Sequence, residues 1–260
     1  MGDRGSDGHT VLKIGGSVLT DRSSEDTLDE KRFEASLGAV ADSEHDSLIL
    51  VHGAGSYGHP HAERHGLTET EGGIEGVYET HSAVSELNRR VVEELRSRGT
   101  EALPVHPLSC GVKTPSDGES AEVKGTGGRT FEMMTRQTET LLDEGFLPVL
   151  HGDLVADAGE GASVVSGDTV ALELARCLGS VRLGFCTSAG GVLGSDGVLD
   201  EVEDVDAVDE RGDGIPDVTG GIVAKVEKIL STHDGGHVFG VEDIPDFLDG
   251  KDVGTEVNAN

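Results

Sequence analysis

Short aliphatic runs recur along this chain with helix-length stretches between them, and that alternation limits the fold more than any other feature. Residues 11–14, 48–51, 102–105, 147–150 and 181–185 read as strands. Because they are nearly continuous in apolar residues, both of their faces are expected to be covered. Between them the spacing predicts helices near 29–41, 75–98, 131–144 and 168–178, and a last one over 222–232. Strands that alternate with helices long enough to cross back imply an α/β protein with a mostly parallel sheet under helices. At 260 residues this is read as a polar tail over 1–10 and a single domain over 11–260, divided near Ser166 into an 11–165 lobe and a 166–260 lobe. Glycine- and aspartate-rich stretches at 115–128 and 156–161 read as hairpins or surface loops, and the acidic stretch 194–216 as a further loop.

Charge narrows the partners. Fifty acidic residues against 20 basic ones leave a formal charge of −30, a field that repels nucleic acid and anionic lipid. The acids lie between well-formed apolar segments such as VLKIGGSVL and SLILVHGAG, so the chain is expected to fold rather than stay disordered. Arginine outnumbers lysine, a balance that together with the acidic excess suits multimolar salt. In dilute buffer the same charges repel one another and weaken the compact state. Aromatic residues are 3% of the chain and tryptophan is absent, so Val, Leu, Ile and Ala must build the core.

Cys110, Cys177 and Cys186 form no even set and no CxxC pair, which points away from a disulfide framework or zinc site and toward a reducing cytoplasm. The opening MGDRGSDGHT has no apolar region and no run reaches transmembrane length, so neither a leader nor a membrane segment is expected. Met1, Gly2 and Ser6 match the short myristoylation pattern, which is set against a strongly anionic chain.

Several motifs follow strands or open helices. Leu12-Lys13-Ile14-Gly15-Gly16-Ser17 ends the first strand. Glycines there let backbone N–H groups approach phosphate oxygens, and a nearby ammonium offsets developing charge. The plain alternative is a strand-to-loop turn with a surface lysine. The GKS/T end of a Walker loop is absent, and so is GxGxxG. HGAGSYGH, over 52–59, follows the second strand and forms a second candidate anion nest, in which His59 is either a donor to a bound phosphate or one surface imidazole among several. In VTGGIVAK, over 218–225, glycines precede a helix whose first turn carries Lys225. His151-Gly152-Asp153 follows a strand and Ser166-Gly167-Asp168 precedes a helix. Asp168 is read either as a cap or as a holder of catalytic ammonium groups.

Taken in this order, KIGGS, HGAGSYGH, HGD, SGD and VTGGIVAK resemble the isopentenyl phosphate kinases of the amino acid kinase superfamily, over nearly the whole chain. The closing histidine of HGAGSYGH is the most specific element. The resemblance implies a three-layer αβα sandwich, ATP with Mg²⁺ as donor, isopentenyl phosphate as acceptor, and a homodimer. It makes 11–165 the acceptor-side lobe and 166–260 the nucleotide-side lobe. It also implies that Lys13, Gly15, Gly16, Ser17, Gly55, Gly221 and Lys225 surround the ATP phosphates, that Ala54, His59 and Gly152 hold the acceptor phosphate, and that Asp168 organises the lysines. Arg22 stands where relatives carry a second lysine. Two departures stand out. Residues 186–192 read CTSAGGV where relatives carry two acids, which leaves Thr187 to reach the nucleotide, and 235–243 is richer in glycine and acid than a strand should be.

The expected activity is phosphoryl transfer to isopentenyl phosphate, with no metal ligands assigned to the protein. Rival readings are a same-fold kinase for another alkyl phosphate or an amino-acid carboxylate, and a nucleotide-binding module without catalysis. A stripe of Ile74, Val77, Tyr78, His81 and Val84 on one helical face is expected to wall the acceptor's hydrocarbon pocket or else to pack on the sheet.

Overall fold

The computed structural model describes residues 8–45, 47–67, 73–116, 128–179, 182–195, 197–208, 221–232 and 235–258. Its central sheet joins β1 (Thr10–Ile14), β2 (Leu48–His52), β3 (Ala102–Pro104), β6 (Leu147–His151), β9 (Arg182–Cys186), β12 (Glu201–Val202), β13 (Gly235–Phe239) and β14 (Thr255–Asn258) in the order β12-β14-β13-β9-β1-β2-β6-β3. Every neighbouring pair in it is parallel except β13 with β14. A second sheet, order β5-β4-β7-β8, is made of β4 (Gly111–Pro115), β5 (Arg129–Met133), β7 (Asp153–Asp157) and β8 (Gly161–Val165). A short hairpin pairs β10 (Leu193–Gly194) with β11 (Gly197–Val198).

Alternate residues of each central strand feed opposite layers. Val11, Ile49 and Val51 pack with α7 (Gly167–Leu178) and α8 (Gly221–Thr232), whereas Leu12, Leu48 and Leu50 pack with α2 (Glu30–Asp42), α4 (Ile74–Ser97) and α9 (Ile244–Leu248). The result is a three-layer αβα sandwich. The length of α4 follows from its sequence: Val84, Leu87, Val91 and Leu95 recur at helical spacing and are buried, while Glu86–Arg90 and Glu94–Arg98 pair four residues apart on the outer side. Each of those four apolar side chains contributes about 1.5–3 kcal/mol by burial. Asp29 caps α2 by accepting from Arg32 N, and Ser166 caps α7 by accepting from Thr169 N.

Sequence and structure part company in three places, the first being the acidic stretch 194–216, whose described part is not a plain loop, since β10 and β11 pair as a hairpin and β12 joins β14 in the central sheet. The stretch 131–144 is not one helix. Arg129–Met133 is a strand whose Phe131 and Met133 turn inward while Thr130 and Glu132 face solvent, a period of two, and the helix is α6 (Arg136–Asp143). Glycine- and acid-rich as it is, 235–243 opens on the strand β13, because His237, Val238 and Phe239 are buried between β9 and β14. The stretch 156–161 is the turn of the β7–β8 hairpin. Of the remaining loop expectations, 117–127, 209–216 and Val218–Gly220 of VTGGIVAK lie outside the described residues.

Candidate active site

Register brings the motifs together. Ile14 pairs with His52 on one side and Cys186 on the other, and His52 pairs with His151. The residues that follow, Gly15, Gly53, Gly152 and Thr187, therefore stand in a row at the carboxyl edge of four adjacent parallel strands. That edge is where open α/β sheets bind ligands. The first two loops interlock backbone to backbone: a Cβ on Gly16 would lie 2.3 Å from Gly55 N, and one on Gly53 would lie 2.4 Å from Gly16 N. Gly55 has a φ of 53°, and a Cβ there would meet Thr20 Oγ1 at 2.2 Å. Any side chain at these places would drive the two loops apart.

Above the row lies a cleft of about 400 Å³. Lys13, Gly15, Gly16, Ser17 and Arg22 line it from the β1 side, and Ala54, Gly55 and His59 from the β2 side. Gly152, Asp168, Thr187 and Lys225 complete the set foreseen in the sequence. Gly221 is the exception. It opens α8, from which Ile222 and Lys225 line the cleft, and its own surroundings lie outside the description.

At the base of the cleft one carboxylate holds two ammonium groups. Asp168 Oδ1 lies 2.7 Å from Lys13 Nζ, and Asp168 Oδ2 lies 2.7 Å from Lys225 Nζ. All three residues are buried. Burial alone would raise the Asp168 carboxyl, yet Lys13 and Lys225 together hold it well below the ordinary carboxylate range. Ser166, not Asp168, caps α7, so Asp168 is left to serve the lysines. The Thr187 hydroxyl is buried on the cleft wall without a hydrogen-bond partner among the described residues. Arg22 is exposed. The loop that carries it is tied to α3 (His59–Arg64) where Asp26 and Glu25 meet His61 at 3.1 and 3.2 Å and Arg64 pairs with Glu25.

One end of the cleft is apolar. Pro60 and Ala62 from α3, Thr80 and Val84 from α4, and Val164 from β8 line it. Of the expected helical stripe only Val84 reaches this wall. Ile74 and Tyr78 are 83% and 67% exposed, so the stripe does not wall the pocket as a whole. Helical spacing places residues on a common face but does not say where along its length a helix leaves the body. Thr80 and Val164 carried no signal of their own: one is a polar residue beside the apolar stripe, and the other lies in a hairpin with no motif.

This is an α/β protein whose cleft pairs a glycine-built, cation-floored anion cradle with an apolar end. The amino acid kinase family model matches residues 9–238, and the chain belongs to that family. It is similar to the isopentenyl phosphate kinase of Haloferax volcanii, 42% identical over 257 residues that span 96% of this chain and 98% of the relative. The isopentenyl phosphate kinase of Methanothermobacter thermautotrophicus is 30% identical over 85% of each chain. Among solved structures, one of isopentenyl phosphate kinase superposes with a TM-score of 0.77 at 24% identity, covering 95% of this chain and 98% of that one, and so shares the fold.

Proposed function

We propose that the protein is an isopentenyl phosphate kinase: it moves the γ-phosphoryl group of ATP onto isopentenyl phosphate, giving isopentenyl diphosphate and ADP. The observation that carries this reading is the buried Lys13–Asp168–Lys225 cluster beneath interlocked glycine turns, in a cleft whose other end is apolar. The likeness to kinases of that name over nearly the whole chain supports it.

In this reading Gly15, Gly16, Ser17 and Gly55 cradle the nucleotide phosphates, with Thr187 and the start of α8 at Gly221 on the nucleotide side. Lys13 and Lys225, fixed by Asp168, face the charge that develops on the transferred group, and Arg22 adds a planar fork at the lip. Ala54, His59 and Gly152 hold the acceptor phosphate. That phosphate is already an anion and needs no general base, so transfer is direct and in line. The protein's contribution is positioning and charge compensation. The 11–165 lobe supplies the acceptor end and the 166–260 lobe the nucleotide end.

Mg²⁺ would neutralise charge on the nucleotide phosphates. The carboxylates lining the cleft do not form a cage for it: Asp168 is held by two lysines, Asp153 pairs with His81 at 2.8 Å, and Glu63 stands by itself on α3. In this reading the ion arrives with ATP. We further place the protein in a reducing cytoplasm as a homodimer working in high salt. Its three thiols are unbridged, and no helix among the described residues is long and apolar enough to cross a membrane.

The test is ADP release in molar KCl with isopentenyl phosphate, with other alkyl phosphates and with glutamate or N-acetylglutamate. Turnover confined to isopentenyl phosphate supports the reading. A preference for a carboxylate acceptor, or ATP binding without any turnover, replaces it with one of its rivals.

A further inference from the structure

Two buried histidines lie under the acceptor end of the cleft, and the mechanism above does not use them. His52 ends β2 and His151 ends β6. They are register partners on adjacent strands, neither exposes any surface, and their rings stack with centroids 5.6 Å apart at 22°. Each is followed by a glycine that lines the cleft, and each does the same thing to it: His52 Nδ1 lies 3.0 Å from Gly53 O, and His151 Nδ1 lies 3.0 Å from Gly152 O.

A carbonyl oxygen only accepts, so each Nδ1 must carry a proton. Burial pushes His52 down to about 4 and His151 down to about 3, so both rings are neutral at working pH and carry that proton alone. The far nitrogens then have only lone pairs to offer. His151 Nε2 lies 2.8 Å from His106 Nδ1, which donates to it; His52 Nε2 lies 3.1 Å from Asn88 Oδ1, and because Asn88 Nδ2 has no partner among the described residues, both groups are satisfied with the two ends of that amide exchanged, Nδ2 donating to Nε2. Asp153, whose Oδ2 stands 4.0 Å from His151 Nε2, takes His81 Nδ1 at 2.8 Å and Leu108 N at 3.2 Å.

A peptide group is planar and trans, so a carbonyl pinned toward a buried ring turns the next residue's N–H the opposite way. The residues so affected are Ala54 and Asp153, both of which line the cleft. We propose that His52 and His151 are a pair of positioning residues that act through their Nδ1–H groups to fix the Gly53–Ala54 and Gly152–Asp153 peptides against the acceptor phosphate. The proposal rests on the kinase reading above. It assigns to the two imidazoles the orientation of the acceptor, while His59 touches it.

The experiment compares His52→Asn and His151→Asn, in which the short amide can present an N–H near the Nδ1 position, with His52→Leu and His151→Leu, which fill space without a donor. In the folded protein in KCl, the Leu variants are expected to lose about 10- to 100-fold in kcat/KM for isopentenyl phosphate with the KM for ATP little changed, and the Asn variants to recover most of it. Folded Leu variants with wild-type acceptor kinetics, or equal losses in Asn and Leu variants, would overturn the proposal. Where a Leu variant does not fold, nitrogen-15 spectra of the wild-type imidazoles decide. A proton on Nδ1 of both rings across neutral pH supports the assignment, and a proton on Nε2 of either overturns it. Absence of turnover in the wild type would count against the kinase reading, and the imidazoles would then be judged on those spectra.

Discussion

Replacing Asp168 by Asn keeps the shape of the side chain and removes one charge from a cluster of three. In the wild type each carboxylate oxygen lies 2.7 Å from a lysine Nζ, and the carboxylate and both lysines are less than a tenth exposed. The cluster carries a net charge of one; in the variant it carries two, with no counter-charge. Opposite charges about 4 Å apart attract by about 4 kcal/mol at an effective dielectric of about 20. Removing one partner of a buried pair costs about 3–5 kcal/mol, because the charge left behind stays buried. For a chain of this size that corresponds to a fall in melting temperature of about 10 °C. Activity should fall further than stability implies. With Lys13 and Lys225 no longer held, we expect kcat to drop about 100- to 1000-fold, with a smaller change in the KM for ATP. The effect also has a pH signature. The folded carboxyl lies below its ordinary value of 3.8, so its stabilisation is present above that value and is lost as pH falls below it toward the folded value. The stability difference between variant and wild type should therefore be flat from pH 5 to 9 and shrink only under strongly acidic conditions. Thermal melts across pH and initial-rate ADP release measure both. A folded Asn variant with near wild-type kcat, or a stability gap that varies through neutral pH, would refute the reasoning.

Removing the imidazole in His59→Ala should lower kcat/KM for the acceptor by about 100-fold without unfolding the chain, and wild-type turnover in that variant would remove His59 from the site. The −30 charge predicts a melting temperature that rises with KCl into the molar range, which differential scanning in dilute and molar KCl would check. Val84 lines the apolar end and Tyr78 is exposed, so Val84→Ala should shift preference toward longer prenyl phosphates by about 1–3 kcal/mol of relative binding while Tyr78→Ala leaves the ratio unchanged. Measuring kcat/KM for short and long acceptors in both variants is decisive; a shift with Tyr78→Ala alone would place the pocket elsewhere.

Much of the central sheet was legible because its strands are buried on both faces, and continuous apolar runs such as LILV leave little ambiguity about period. The second sheet was not. Its strands are half exposed, and the apolar residues of β5, Phe131 and Met133, sit next to a genuine helix, so two periods run together in one stretch. The glycine turns and lysines of the cleft could be named because close backbone approach and buried charge restrict residue choice. Ala62 of α3, Thr80 and Val84 of α4 and Val164 of β8 meet from three separate elements, and that meeting is a product of tertiary packing. Ser166 caps α7 through a local contact with Thr169 N and so releases Asp168 for the lysines, a division of roles that the SGD motif leaves open.

The interlocked turns after β1 and β2 act as a ruler. Neighbouring strands of a sheet are about 4.8 Å apart, a spacing set by hydrogen bonds between backbones and not by side chains. On the proposed assignment the turn after β1, joined by Gly55, carries the donor phosphates, while Ala54 and His59 of the turn after β2 hold the acceptor phosphate, so the step the phosphoryl group takes is inherited from strand pairing. Point substitution can reshape the tail pocket but cannot stretch that interval, since a Cβ on Gly16 would already lie 2.3 Å from Gly55 N. Evolution on this scaffold is thus free to change what the acceptor is and barred from changing how far it sits from ATP.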